Sequence, residues 1–390
     1  MHDFTMPIGP QHPSLKEPTC LRLTLDGNYI QEARIRMGYI HRGIEFLLEG
    51  KSLEKALYIV QRICGICPTS HSTAYLNCVE RGMGIDPVKK VKLLRAIELE
   101  LERINSHMLW LGHMAKIIGY QMLFMFFWKE RENCLDIFEK LTGGRIHHNY
   151  SKLKSARYDL PKDAGPFMEK RLDRVYRKVG DYLKTFEKDS IIKSRLKGVG
   201  TITREQAERM CLVGPAARGS GVDNDVRGHV GEYRQLGFRP VLERDGDAYA
   251  RTLVRLKEVL HSIVMIREAL KQMPESRLPK WGDFGKATFE STGRSEAPRG
   301  EDFHFIKAEE GIIKRAKIRT PTFANIISLE PMLKGREIGD VPVILGSLDP
   351  CFACMERVML ARGDKVEDLS EEEFNKKYVG KHIPGICPTH

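Results

Sequence analysis

The sequence predicts an α+β fold that is predominantly α: a central bundle of long helices, a small β element at the N-terminus and an irregular or β segment toward the C-terminus. Three observations carry this prediction. Residues 20–40 alternate apolar and polar around Asp26-Gly27, a pair that favours a tight hairpin. From Ser52 to about residue 273 the apolar residues recur at helical spacing, interrupted by glycine- and proline-bearing loops. Beyond residue 273 that spacing stops, and "EAPRG" (296–300) sits in a stretch that reads as extended chain.

Taken in order, "SLEKALYIVQRI" (52–63) places Leu53, Ala56, Leu57, Val60 and Ile63 on one stripe, with Ser52 as its N-cap. Long helices are expected over 87–118, 121–141, 164–189, 203–213 and 247–273. "LTGGRIHHNY" (141–150) and "VGPAARGSGVDNDVRG" (213–228) read as loops, and 317–349 as short strands and turns leading to "DPCFAC". Residues 1–357 are expected to form one unit, with 1–50 as the β element, 52–273 as the bundle and 274–357 as the extended segment. The charged segment 358–390 reads as an appended extension. It closes on Gly-Ile-Cys-Pro-Thr, an echo of residues 65–69.

Composition narrows the class. A chain of 390 residues with 42% hydrophobic and 29% charged residues has ample material for a buried core. The most apolar stretch, "HMLWLGHMAKIIGYQMLFMFFW" (107–128), carries His107, His113, Lys116 and Gln121. It falls short of the roughly 18 uninterrupted apolar residues of a membrane span and reads as a bundle helix. The first residues lack a basic segment followed by an apolar one, so no signal peptide is expected. Nine cysteines without a secretory signal point to thiols or metal ligands in a reducing compartment. The net charge of +11 is spread along the chain, which fits acidic partners or lipid headgroups, and no nucleic-acid motif accompanies it. Abundant Lys, Arg and Glu hint at a thermophilic source.

Two C-x-x-C pairs carry the chemistry: Cys64/Cys67 and Cys351/Cys354. A two-residue spacer lets both sulfurs of a pair face one point, and Gly65 is expected to relieve crowding where the backbone turns. Four thiolates form a soft set for zinc, iron or nickel. The pairs come from opposite ends of the chain, so their site would cross-link the whole fold. Spacing alone leaves structural zinc, an iron–sulfur cluster and a catalytic metal open. The glycine run "GPAARGSG" (214–221) lacks the Lys-Ser/Thr ending of a phosphate loop, and His147-His148 has no metal-site context.

The residues around the pairs break the tie. "QRICGICPTSH" and "DPCFACMER" resemble the large subunit of nickel–iron hydrogenases. "PIGPQHPSLKEP" (7–18), "YIHRGIEFLLEGKSLEKALYIVQRICGICPTSHS" (39–72), "EAPRG" and "RTPTFANIISLEPML" (319–333) resemble its energy-converting, membrane-bound branch, which is related to a catalytic-arm subunit of respiratory complex I. The resemblance implies the fold of those large subunits and a nickel–iron centre whose iron carries carbon monoxide and cyanide. Cys64 and Cys351 would be terminal nickel ligands, and Cys67 and Cys354 would bridge to iron. Dihydrogen would be split heterolytically, with a terminal thiolate taking the proton.

Further roles follow only from the resemblance. Glu17, by itself a surface glutamate before a proline, would relay the proton from Cys351. Arg299 would hydrogen-bond the iron-bound cyanide, and Thr320, Thr322 and Ser347 would line the cyanide pocket. Asp349 would fix the turn before Cys351. Glu45 and His71 would lie behind the ligands, although a satisfied core histidine is an equal reading of His71. His12, His41 and Arg42 would face the partner subunits, where His12 could equally brace a turn.

The implied partners are a small subunit that carries the iron–sulfur clusters, membrane-embedded ion-translocating subunits, a maturation protease and nickel-insertion factors. The implied location is peripheral, on the cytoplasmic side of the membrane. In this family a protease removes the residues beyond the position of Arg357, so 358–390 would be a removable extension unless this chain keeps its tail, and the terminal echo is either chance or a transient hold on metal by Cys387 and His390 during assembly. The implied activity is reversible reduction of protons to dihydrogen by a membrane-bound oxidoreductase. A complex I-like quinone- or sulfur-reducing subunit, or a zinc-stapled scaffold, are the alternatives.

Overall fold

A computed structural model of the chain describes residues 4–13, 15–355, 357–362 and 365–370. Strands β1 (Phe4–Ile8), β2 (Cys20–Asp26) and β3 (Tyr29–Arg36) form an antiparallel sheet in that order. The hairpin expected at Asp26-Gly27 joins β2 to β3, with Gly27 in the left-handed region at φ 59°. Strand β1 was not evident beforehand, because Pro7 and Pro10 interrupt the alternation there.

Helices α1 (Ile44–Leu48) and α2 (Leu53–Val60) follow, and Ser52 caps α2 by accepting from the Lys55 N–H. Helix α3 (Pro68–Gly82) starts directly after the front cysteine pair. It was not predicted, because its small and polar residues are buried on nearly every face and leave no amphipathic period. The long helices α4 (Lys89–Ile117), α5 (Gln121–Thr142) and α6 (Ala164–Lys188) match the predicted ones, with a two-stranded turn of β4 (Ser151–Lys152) and β5 (Ser155–Ala156) between α5 and α6.

The short helices α7 (Ser190–Leu196), α8 (Arg204–Arg209), α9 (Gly214–Arg218) and α10 (Gly231–Gln235) lead into the long α11 (Ala248–Lys271). The expected 203–213 helix thus stops at Arg209, and part of the expected 213–228 loop is helical.

The C-terminal third bears out the expected β segment and corrects one stretch. The extended segment is an antiparallel sheet of β6 (Phe289–Ala297), β7 (Gly300–Glu309) and β8 (Ile312–Arg319). The stretch after β8, expected as strands and turns, is helical: α12 (Pro321–Asn325), α13 (Leu329–Leu333) and α14 (Val341–Leu348). Prolines misled the prediction. Pro321 and Pro342 each stand at the first or second position of a helix, where a missing N–H costs nothing. A hairpin of β9 (Arg357–Arg362) and β10 (Lys365–Ser370) begins the expected extension, whereas Cys387 and His390 lie outside the described residues.

Packing brings the two cysteine pairs together. Helix α3 lies across the β6–β8 sheet so closely that a Cβ on Gly293 would sit 2.2 Å from the Cys78 backbone nitrogen. Helix α14 rests on α4, where the buried Trp110 Nε1 donates to the Gly346 carbonyl at 2.7 Å. The bundle core also holds charges. Glu100, Arg103 and His107 of α4 meet Arg218 of α9, Arg227, and Glu258 of α11, all buried and mutually paired. Buried ions persist in this way only when each has a partner.

Candidate metal centre

Cys64 and Cys67 lie in the turn from α2 to α3, with Cys67 as the N-cap of α3. Cys351 and Cys354 follow α14, whose C-cap Asp349 turns the chain in the left-handed conformation at φ 55°. All four sulfurs belong to residues that are 1–4% exposed. Cys64 Sγ is 3.7 Å from Cys351 Sγ, and Cys351 Sγ is 3.2 Å from Cys354 Sγ. The Cys64, Cys67 and Cys354 sulfurs lie within 4.8 Å of one another. Thiolates bound tetrahedrally at about 2.3 Å stand about 3.8 Å apart, so the pocket has the scale of a metal site. A Cβ at Gly65 would meet nothing within 4 Å, so the expected crowding there is absent.

The sulfurs titrate as one group. Hydrogen bonds from Cys351, Cys354 and Cys67 hold the Cys64 thiol well below its ordinary value. Cys354 is pushed well above by its contacts with Cys351, Cys64 and Cys67. A bound cation would hold such buried, mutually crowded sulfurs deprotonated. That donor chemistry fits a thiophilic transition metal.

The surroundings tie the two pairs to each other. Arg42 donates to the carbonyls of Arg62 (2.8 Å) and Ile63 (2.5 Å) before the front pair, and to Ala353 (2.6 Å) inside the rear pair. Arg42, which is exposed, also clamps the two cysteine loops together with its guanidinium. His12 is exposed and His41 half-buried, and the structure brings neither to the sulfurs.

Glu17 does reach the site. The Cys351 Sγ lies 3.7 Å from its Oε1, and the Ala353 N–H donates to Oε2 at 3.0 Å. Burial pushes the Glu17 carboxyl above its ordinary value, against the opposing Ala353 hydrogen bond. Arg299 is 6% exposed and pairs with Asp349: Nη2 is 2.8 Å from Oδ2, and Nε donates to the Asp349 carbonyl at 2.8 Å. Its Nη1 donates to Ser106 Oγ at 3.3 Å. Thr322 Oγ1 accepts from the Cys351 N–H at 3.0 Å. Thr320 Oγ1 is buried with no hydrogen-bond partner, which suits a pocket built for a further acceptor.

Two expected residues are committed elsewhere. Ser347 accepts from Arg251 at 2.8 Å and donates to the Ile344 carbonyl, so its hydroxyl serves α14. Glu45 accepts from the Ile318 N–H (2.8 Å) and Lys317 (2.9 Å), fastening α1 to β8. His71 is buried beside Asp302 and His304.

Sequence reasoning missed Glu98 and Glu102. Glu102 accepts from the Thr69 (2.7 Å) and Ser70 (3.0 Å) N–H groups and from the Ser70 hydroxyl, so it caps the start of α3 from outside. Glu98 accepts from Thr69 Oγ1 at 3.2 Å and Ser151 Oγ at 2.7 Å. Burial without a directly paired cation pushes Glu102 up to about 8 and Glu98 up to about 7. Their spacing of four on a helix was visible in the sequence, whereas their burial was not.

Fold and pocket together define a subunit in which two cysteine pairs from opposite ends of the chain meet in one buried pocket of metal-site scale. Residues 42–117 match the nickel-dependent hydrogenase family, and 118–283 and 281–357 match the respiratory-chain NADH dehydrogenase 49 Kd subunit family. The chain is 34% identical to the membrane-bound hydrogenase subunit alpha of Pyrococcus furiosus, over 96% of this chain and 92% of that one. It is 32% identical to the carbon monoxide-induced hydrogenase of Rhodospirillum rubrum, over 92% and 100% of the two chains. Formate hydrogenlyase subunit 5 of Escherichia coli is 35% identical over 90% of this chain and 63% of its own. A solved structure of the membrane-bound sulfane sulfur reductase, an archaeal respiratory membrane complex, contains a chain that superposes with a TM-score of 0.85 at 27% identity, covering 90% of this chain and 97% of that one. The chain belongs to the family of oxidoreductase subunits that unites nickel–iron hydrogenase large subunits with the 49 Kd subunit of complex I. No helix among the described residues is long and apolar enough to cross a membrane.

Proposed function

We propose that this chain is the catalytic large subunit of a membrane-bound, energy-converting nickel–iron hydrogenase. It would reduce protons to dihydrogen reversibly with electrons from an iron–sulfur small subunit, and membrane partners would couple this to ion translocation. The observation that carries the proposal is the presence of four cysteines in one buried pocket with a carboxylate at its edge. When bound, a nickel–iron group with carbon monoxide and cyanide on its iron supplies the redox chemistry of dihydrogen.

The chain's own residues do the rest. Cys64, Cys67, Cys351 and Cys354 would hold the group through their four sulfurs. Glu17 takes the proton at Cys351 Sγ across 3.7 Å and passes it outward. Arg299, fixed by Asp349, and the unpartnered Thr320 hydroxyl would supply hydrogen-bond donors to the group's diatomic ligands. Thr322 orients Cys351. His12, His41 and Arg42 remain assigned to the partner face, where exposed Phe46 and Leu47 on α1 support docking of another subunit. The family relation supports a peripheral position on the cytoplasmic side of the membrane, and maturation by nickel-insertion factors and a protease acting beyond Arg357.

A second reading, sulfur or quinone reduction, is favoured by the likeness to the sulfane sulfur reductase complex. Hydrogen evolution by the purified complex separates the two. Cys351→Ser is expected to abolish it, and Glu17→Gln to slow proton–deuteron exchange by about 10²-fold or more at unchanged nickel content. Full activity in either variant, or sulfur reduction without hydrogen evolution in the unmodified complex, contradicts the proposal.

A further inference from the structure

Behind the cysteine pocket, His71, Asp302 and His304 converge in the core with exposures of 1%, 0% and 0%. His71 lies one helical turn beyond Cys67 on α3. Asp302 and His304 are alternate residues of β7, so both side chains leave the same face of the strand. The three nearest atoms form a triangle: His71 Nδ1 to Asp302 Oδ2 is 2.8 Å, His304 Nε2 to Asp302 Oδ2 is 3.3 Å, and Nδ1 to Nε2 is 3.2 Å.

Protons alone satisfy this triangle poorly. Neither Asp302 oxygen has a well-aligned hydrogen-bond partner despite the short contacts, even though Asp302, against the effect of burial, draws the His71 imidazole above its ordinary value. The two ring nitrogens are aligned with each other instead. One proton between them leaves the buried carboxylate facing a ring nitrogen with no hydrogen aimed at it. Two protons set two N–H groups against each other. A buried carboxylate in that position costs several kcal/mol unless a charge meets it.

A cation satisfies all three atoms at once. Ligands held tetrahedrally at about 2.0–2.2 Å stand about 3.3–3.6 Å apart, close to two of the observed edges. Two imidazoles and one carboxylate form a borderline donor set that suits zinc or ferrous iron. We propose that His71, Asp302 and His304 form a second metal site for a divalent first-row cation, distinct from the cysteine pocket and free of sulfur. Its position makes it a staple. It joins the helix that begins at Cys67 to the strand that follows Arg299, fixing two walls of the cysteine pocket relative to each other.

The test uses the complete purified complex, prepared anaerobically, supplied with Zn²⁺ and dialysed against a weak chelator. Elemental analysis is expected to find one divalent equivalent per chain beyond the metal held by the cysteines. Its absorption-edge spectrum is expected to fit only nitrogen and oxygen neighbours at about 2.0–2.2 Å. Asp302→Asn and His304→Gln should each lower that equivalent at least tenfold, whereas Cys64→Ser should leave it in place. The unmodified complex decides the matter even if a variant fails to fold. No extra equivalent, an extra metal with sulfur neighbours, or retention in both variants overturns the proposal. Because the ligand shell reports the site, the result is independent of whether the cysteines hold nickel and iron.

Discussion

Replacing Arg299 with leucine isolates one charge and reads out its worth. In the native chain the guanidinium meets Asp349 through Oδ2 and the main-chain carbonyl, both at 2.8 Å, and both residues are nearly inaccessible. After Arg299→Leu the Asp349 carboxylate keeps, among the described residues, a direct ion pair to Lys16 at 3.5 Å and the more distant charge of Arg255. Breaking one partner out of a buried pair typically costs about 3–5 kcal/mol. Lys16 is partly exposed and offsets only a fraction of this. Urea unfolding of the metal-free chain should therefore show a loss of about 3 kcal/mol or more. Adding Asp349→Asn to Arg299→Leu removes the stranded charge and should recover at least about 1 kcal/mol, a coupling that a double-mutant cycle measures directly. The reasoning fails if Arg299→Leu is as stable as the parent, or if the double variant is no better than the single one.

Three further outcomes follow from the same geometry. Arg42→Ala removes charge-assisted hydrogen bonds to both cysteine loops and should weaken metal retention about tenfold or more, read by chelator competition. Arg42→Lys should rescue little, because one ammonium cannot span three carbonyls. Gly214 has φ 66°, and a Cβ there would sit 2.1 Å from the Arg299 carbonyl oxygen, so Gly214→Ala should destabilise the chain by more than about 2 kcal/mol, measured by urea unfolding. Glu102 is raised from 4.5 to about 8, so its contribution to stability is fully present below about pH 4.5 and is lost as pH rises through about 8. The unfolding free energy of the metal-free parent should fall across that window by up to about 1.4 kcal/mol per pH unit relative to Glu102→Gln, and parallel pH profiles would contradict the assignment.

Legibility in the sequence followed the physical origin of each feature. The long helices α4, α5, α6 and α11 were readable to within a few residues, because helical spacing of apolar side chains survives even where charges are buried among them. That those charges are buried was not readable: Arg218, Glu258 and Glu100 look like solvated residues until their partners, far apart in sequence, are brought together. Helix α3 was hidden because its faces are all buried and its residues small or polar. The cysteine pairs stood out by spacing, whereas Glu17 and Arg299 stood out only through family resemblance; the structure brings both to the rear pair. Arg42, Glu45 and Ser347 were assigned from the same phrases, yet their hydrogen bonds brace the surrounding elements. Motif position fixes where a residue lies along the chain, and only packing decides which atoms it meets.

The central claim is that the four cysteines hold nickel and iron. It is tested most directly by elemental analysis and infrared spectroscopy of the purified complex. The account predicts nickel and iron in near-equal amounts at the cysteine site, with absorption bands from iron-bound carbon monoxide and cyanide that vanish in Cys354→Ser. Zinc alone in the cysteine pocket, with no such bands, would contradict it.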